Sequence, residues 1–188
     1  MEKRTIRTSA SNFRVREEDG QRRIEGYFAV FGTFYELWCG GRETIDPGAF
    51  SDTLGNDIRA LINHDTTLVL GRNKAGTLEL RVDDHGLWGS ILINPDDQDA
   101  MNLYSRVQRG DVNQCSFGFE IQEEKYEEMS DGSILWTLLR VDLHEVSVCT
   151  FPAYEETAVA ARKRDAETIH SRKMEAWRCQ ARAKLKGE

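Results

Sequence analysis

No stretch of the 188 residues approaches the roughly 18 consecutive apolar positions that a membrane span requires. The opening "MEKRTIRTSASNF" carries positive charge with no apolar segment behind it, so it does not read as a secretory leader; a soluble, intracellular chain is expected. Cysteine is sparse. Cys39, Cys115, Cys149 and Cys179 lie far apart with no CxxC pairing, which argues against a zinc site and a disulfide framework and leaves reduced thiols as the expectation. Neither HExxH nor a paired-carboxylate spacing occurs, and "GRNKAG" lacks the spacing and the GK[ST] ending of a phosphate-cradling loop, so no metal and no cofactor is expected. Positive charge is not in excess either: 25 Lys+Arg stand against 32 Asp+Glu, a formal charge of -7, and no specific nucleic-acid partner is expected. Internal repeats and low-complexity tracts are also missing.

What is present is enough chain for one full-sized domain with a hydrophobic core, plus an arm or a tail. Residues 1–20 are polar and charged and are expected as a loose arm. From "RRIEGYFAVFG" onward, short apolar and alternating runs bounded by Gly, Asp and Asn predict strands near 23–31, 57–63, 67–71, 76–82, 86–93, 112–125, 133–142 and 144–150. Two hairpin turns are expected, one in "VDDHGLW" and one at Asp131-Gly132. Helix is rarer. "NPDDQDAMNLYSRVQRG" predicts one, with Asn94 as its cap, Pro95 at its first position, Gly110 as its stop, and Met101, Tyr104 and Val107 on its inner face. "DPGAFSDTLG" reads as a short helix or helical turn. Beyond Pro152 the composition turns rich in Ala, Glu, Lys and Arg, and a charged helical tail is expected over 161–188, leaving 21–160 as the β-rich domain.

The stretch "VNQCSFGFE" sets a thiol beside a hydroxyl. Alternation along a strand places Cys115 with Phe117 and Phe119, and Ser116 with Gly118 on the other face. A thiol among phenylalanines is a poor thiolate, so Cys115 reads as core, although a cysteine nucleophile stays open. Ser116 reads either as an ordinary strand serine or as a nucleophile, and the second reading needs a histidine base. Of the four histidines, His85 falls in a hairpin turn and His170 in the charged tail. His64, in "RALINHDTTLVLGR", ends an apolar strand and is either a core histidine or a general base. His144 is adjacent to Glu145 in "RVDLHEVSVCTFPAY". Alternation groups Leu143, Glu145 and Ser147 on one face and Asp142, His144 and Val146 on the other. A carboxylate in so apolar a strand needs a hydrogen-bonded partner, and an imidazole would serve Glu145.

The segments "IEGYFAVFG", "ETIDPGAF", "LINHD" with "VLGR", "CSFGF" and "LHEVSVCTFPAY" occur in that order over residues 23–155. Each alone is common; five in sequence resemble the prohead maturation proteases of tailed bacteriophages. That resemblance implies a serine endopeptidase similar in fold to the herpesvirus assembly protease, a closed β-barrel surrounded by a few helices. It implies Ser116 as nucleophile and His64 as general base. Glu145 is the expected third member, orienting the imidazole, with His144 (and Asp142 behind it) as the alternative. The implied substrates are scaffolding protein or the scaffolding region of the major capsid protein, and eventually the chain itself, inside an assembling procapsid in the host bacterial cytoplasm. A homo-oligomer fits the same reading, as does low activity until the enzyme is concentrated in the capsid. Oxyanion donors are expected near Gly118 or after "FPAY". The reading of a different class is a non-catalytic β-barrel scaffold or assembly chaperone of the capsid.

Overall fold

A computed structural model describes residues 5–10, 13–151 and 156–185. Eleven strands lie among them: β1 (Thr5–Ala10), β2 (Arg14–Glu18), β3 (Gln21–Val30), β4 (Tyr35–Trp38), β5 (Gly41–Ile45), β6 (Arg59–Ile62), β7 (Asp65–Arg72), β8 (Leu78–Val82), β9 (Gly86–Leu92), β10 (Gln114–Glu128) and β11 (Ile134–Cys149). Two helices accompany them, α1 (Gln98–Arg109) and α2 (Glu156–Leu185). The chain divides into two units, Met1–Tyr154 and Glu155–Glu188, the second built on α2.

Strands β10 and β11 pair antiparallel along most of their length, joined by a loop in which Gly132 takes the expected left-handed φ of 82°. Outer neighbours extend this pair into a sheet ordered β1-β10-β11-β5-β4. Strand β11 is long enough to carry two parallel partners end to end: β5 lies along Ile134–Leu138, and β6, itself paired with β7, lies along Glu145–Val148. A second sheet runs β2-β3-β9-β8. Cys115, Phe117 and Phe119 of β10 and Val141, Leu143, Val146 and Val148 of β11 share one apolar core with Ile24, Phe28, Leu87 and Ile91 of the second sheet. Phe117 stacks on Phe119 at 4.9 Å between centroids and meets Phe50 edge-on at 5.8 Å. Burying each such side chain contributes about 1.5–3 kcal/mol.

Several expectations change. The ladders among the described residues form two sheets and do not close into a barrel. The arm expected at 1–20 contains β1 and β2, whose polar composition hides a pairing role: β1 takes the free edge of β10 and β2 that of β3, so one short segment serves both sheets. The strands expected at 133–142 and 144–150 are one strand with a bulge. Phe119 pairs with Leu143 while Gly118 pairs with Glu145, so His144 is an extra residue. That extra residue shifts the alternation, and Leu143 faces the core with Val146 rather than sharing a face with Glu145 and Ser147. In α1 the cap is Asp97, not Asn94; its carboxylate accepts from the Asp99 and Ala100 amides. Asn94 instead closes the preceding turn by accepting from the Asp96 amide. The helix ends at Gly110 (φ 87°), and its inner face is Ala100, Leu103, Tyr104 and Val107, with Met101 partly buried beside them. "DPGAFSDTLG" is a run of turns linked by i to i+3 bonds, such as Ala49 N to Asp46 O and Thr53 N to Phe50 O.

Candidate active site

The turn between β6 and β7 consists of Asn63 and His64 alone, with φ of 50° and 62°. Positive φ at both central residues marks a type I′ hairpin, for which asparagine is a favoured first residue and glycine the usual second. His64 therefore stands where glycine is preferred, in the turn itself rather than at the strand end expected from sequence. Such a conformation costs on the order of 1–3 kcal/mol and persists only where its surroundings hold it. They do: the Asn63 amide donates to Val148 O at 3.1 Å, and Asn63 Oδ1 accepts from the Thr150 amide at 2.9 Å. The His64 amide donates to Ser147 Oγ at 3.3 Å.

Because β6 runs parallel to β11, its end delivers this turn beside the last residues of β11. The imidazole then reaches back along the strand, and His64 Nδ1 lies 2.6 Å from Glu145 Oε1. A carboxylate only accepts, so Nδ1 carries a proton, and in the neutral imidazole Nε2 then presents a lone pair. Glu145 is 2% exposed. Its second oxygen accepts from Ser147 Oγ at 2.5 Å, so each carboxylate oxygen has a donor, which a buried charge requires. Ser147 thus ties the carboxylate to the backbone of the histidine it holds. The sequence offered one sign of this role: Ser147 shares a strand face with Glu145.

Ser116 arrives on the neighbouring strand. The ladder sets it directly opposite Ser147, with Gly118 opposite Glu145, and its neighbours Cys115 and Phe117 turn to the core. Opposed side chains of an antiparallel pair have Cβ atoms about 4.5–5.5 Å apart. Ser116 is fully buried, so the open space expected beside Gly118 is not seen. The other histidines go elsewhere. His144 Nε2 bonds Glu120 Oε1 at 3.1 Å, His85 packs edge-on against Tyr27, and His170 is exposed on α2. Asp142 Oδ1 accepts from Asn56 Nδ2 at 2.6 Å. Glu120, Asp142 and His144 do bring three ligand atoms within 4.8 Å of one another, a juxtaposition across two strands that linear spacing could not show, but their hydrogen bonds account for it. The segment after "FPAY", the other expected source of oxyanion donors, begins at residue 155, and residues 152–155 lie outside the described residues.

Two cysteines flank the site on opposite faces. Cys115 Sγ points at Tyr27 O and Phe28 O, 3.2 and 3.5 Å away, in the core. Cys149 Sγ is 3.8 Å from His64 Nε2, but burial first, and then the Glu145 carboxylate, pushes its pKa from 9.0 up to about 12, so it stays a thiol at neutral pH. This has a stability consequence. Above pH 9 the unfolded thiol gives up its proton while the folded one keeps it to about 12. The unfolded state then binds fewer protons, and stability falls with rising pH by up to about 1.4 kcal/mol per unit. Urea midpoints measured from about pH 8 to 11 should therefore fall more steeply for the natural chain than for Cys149→Ala; equal slopes would refute the assignment. A separate expectation concerns Ser147→Ala, which strands a donor-dependent carboxylate oxygen and the His64 amide. A loss of about 1.5–3 kcal/mol in unfolding free energy is expected by denaturant titration.

Known proteins resemble this chain in sequence and in fold. A 34%-identical relative over 150 residues is the prohead protease of Enterobacteria phage HK97; the match covers 77% of this chain and 62% of that protein, so the chain spans under two thirds of its relative. In fold it is similar to the bacteriophage T4 capsid assembly protease, with a TM-score of 0.51 at 10% identity, covering 78% of this chain and 97% of the other. The family described as Caudovirus prohead serine protease matches residues 11–172, which take in the His64 turn, Ser116 and Glu145 alike, and the chain belongs to that family.

Proposed function

We propose that this chain is a serine endopeptidase of procapsid maturation, with Ser116 as nucleophile, His64 as general base and Glu145 as the group that orients it. The observation carrying the reading is the buried 2.6 Å contact between His64 Nδ1 and Glu145 Oε1, which leaves Nε2 as the basic nitrogen. In the first step the Ser116 hydroxyl attacks a peptide carbonyl and passes its proton to Nε2; the imidazolium returns that proton to the leaving amine as the C–N bond breaks. Water, deprotonated by the same nitrogen, then hydrolyses the acyl-enzyme and restores the hydroxyl. Glu145 stays ionised throughout and stabilises the imidazolium.

The substrates of this reading are scaffolding protein, or the scaffolding region of the major capsid protein, and the chain's own termini. Its place of action is the assembling procapsid in the host cytoplasm, as a homo-oligomer or a population docked through the charged 161–188 segment. An assemblin-like barrel belongs to this reading too, and would need pairing between the two sheets beyond the ladders described, with the β1–β2 segment, whose strands lie on different sheets, as its starting point. The burial of Ser116 fits an enzyme that is nearly inert when isolated, since a substrate reaches the hydroxyl only after local displacement. Co-expression with the cognate major capsid protein tests the proposal: intact-mass measurement should find that protein shortened at a defined bond. Assembly with the capsid protein left full-length would instead support the non-catalytic scaffold.

A further inference from the structure

The outer face of the β2-β3-β9-β8 sheet carries a charge pattern that the catalytic reading does not use. A groove of about 840 Å³ crosses it, lined by four arginines, Arg14, Arg16, Arg23 and Arg81, against two glutamates, Glu25 and Glu79. This excess of positive charge sits on a chain of net charge -7.

The ladder arranges these residues in rungs. Arg16 lies directly opposite Arg23, Arg14 opposite Glu25, and Tyr27, Trp88 and Arg81 follow one another across three strands. Like charges directly opposed on an antiparallel pair destabilise it, so the Arg16–Arg23 rung works against the fold unless an anion joins it. Internal counter-charge is short. Arg16 pairs with Glu18 and lies 4.0 Å from Glu25, and Arg23 Nη1 donates at 3.2 Å to Ser90 Oγ, which donates in turn to Glu25 Oε1 at 3.0 Å, so one carboxylate is shared between both arginines. Arg14 and Arg81 form no direct ion pair among the described residues, and Arg81 meets the Asp83 carboxylate only through longer-range attraction. The Arg81 guanidinium instead lies over the Trp88 ring, 4.1 Å from its centroid, which holds the fork flat and leaves its N–H edge for an acceptor.

We propose that this face docks an extended acidic polypeptide segment, its carboxylates received by Arg23, Arg81, Arg14 and Arg16. The aromatic geometry favours this occupant over single-stranded nucleic acid. Base stacking needs open ring faces, whereas Trp88 is covered by Arg81 and Tyr27 is engaged by His85 at 4.5 Å and by Asp83 through its hydroxyl at 2.8 Å. Guanidinium edges held by stacking suit paired carboxylate oxygens, which they bind bidentately. The proposal goes beyond the proteolytic reading and does not depend on Ser116.

Fluorescence anisotropy of labelled deca-glutamate, titrated with the full chain at about 0.02 M salt where the Debye length is ~20 Å, provides the test. Saturable binding is expected, weakened about tenfold or more by the Arg23→Gln, Arg81→Gln double variant and weakened likewise on raising salt to about 0.2 M. No saturable binding, unchanged affinity in the double variant, or an oligothymidylate of equal charge bound as tightly through the same arginines would each overturn it, the last in favour of nucleic acid. Thermal melting supplies a second readout. Arg16→Gln relieves the opposed pair and should melt at the natural temperature or above; a lower melting temperature would show that the rung supports the fold and remove the argument from repulsion.

Discussion

Ser116→Ala is expected to abolish processing of the capsid protein, lowering the rate by on the order of 10⁴-fold or more while the chain remains folded. The reason is chemical rather than structural. Alanine fills nearly the same volume on β10, so Phe117 and Phe119 keep their places in the core and the β10–β11 ladder is untouched. What disappears is the hydroxyl that the proposed mechanism uses as nucleophile. The measurement is intact mass of the capsid protein over time, beside a melting curve that establishes folding. Processing at the natural rate would remove Ser116 from the mechanism, and Cys115→Ala run in parallel separates the thiol: with its sulfur against Tyr27 O and Phe28 O, its loss should leave cleavage within a fewfold of normal.

Glu145 carries the second large effect, and two substitutions divide its roles. Glu145→Ala leaves His64 Nδ1 and Ser147 Oγ without their acceptor in a buried pocket, so stability should fall by about 3–5 kcal/mol along with activity. Glu145→Gln keeps the shape but can offer N–H to Nδ1, which moves the imidazole proton to Nε2 and removes the base. A rate loss of on the order of 10³–10⁴-fold with a smaller stability loss is expected. Nitrogen-15 shifts of the His64 ring report the tautomer directly: Nδ1–H in the natural chain, Nε2–H in Glu145→Gln. Activity within tenfold of normal in the glutamine variant, with Nδ1 still protonated, would transfer the orienting role away from Glu145.

Much of this site is legible in the linear chain because it rests on short-range rules. Period-two alternation separates Cys115 from Ser116, and the core confirms the side taken by the thiol. The cost of a buried carboxylate demands a partner for Glu145, and His64 is its partner. Turn chemistry also reads out, at Gly132 and Gly110, because few residues tolerate positive φ. Where local rules fail, a long-range term has intervened. The bulge at His144 is invisible in composition, since an inserted residue is recognised only against the strand it faces, and it moved Leu143 to the core. Asn94 and Asp97 are both acceptors that local rules allow as helix caps, and it is the Asp97 carboxylate that meets the first amides of α1 while Asn94 serves the turn before it.

The linear chain offers a hydroxyl, an imidazole and an acid as candidates for the chemistry, within a β-rich fold in which helix is secondary. Tertiary structure alone decided how they meet. Parallel pairing of β6 with β11 joins residues some 85 positions apart and sets the His64 turn on Glu145 and Ser147, a contact no window of sequence contains. It likewise decided that β1 and β2 serve different sheets, that Ser116 is enclosed, and that four arginines from three strands share one face. The physical reason is the same each time: side-chain identity is local, but register between strands is set by burying one continuous core, and that energy belongs to the whole fold.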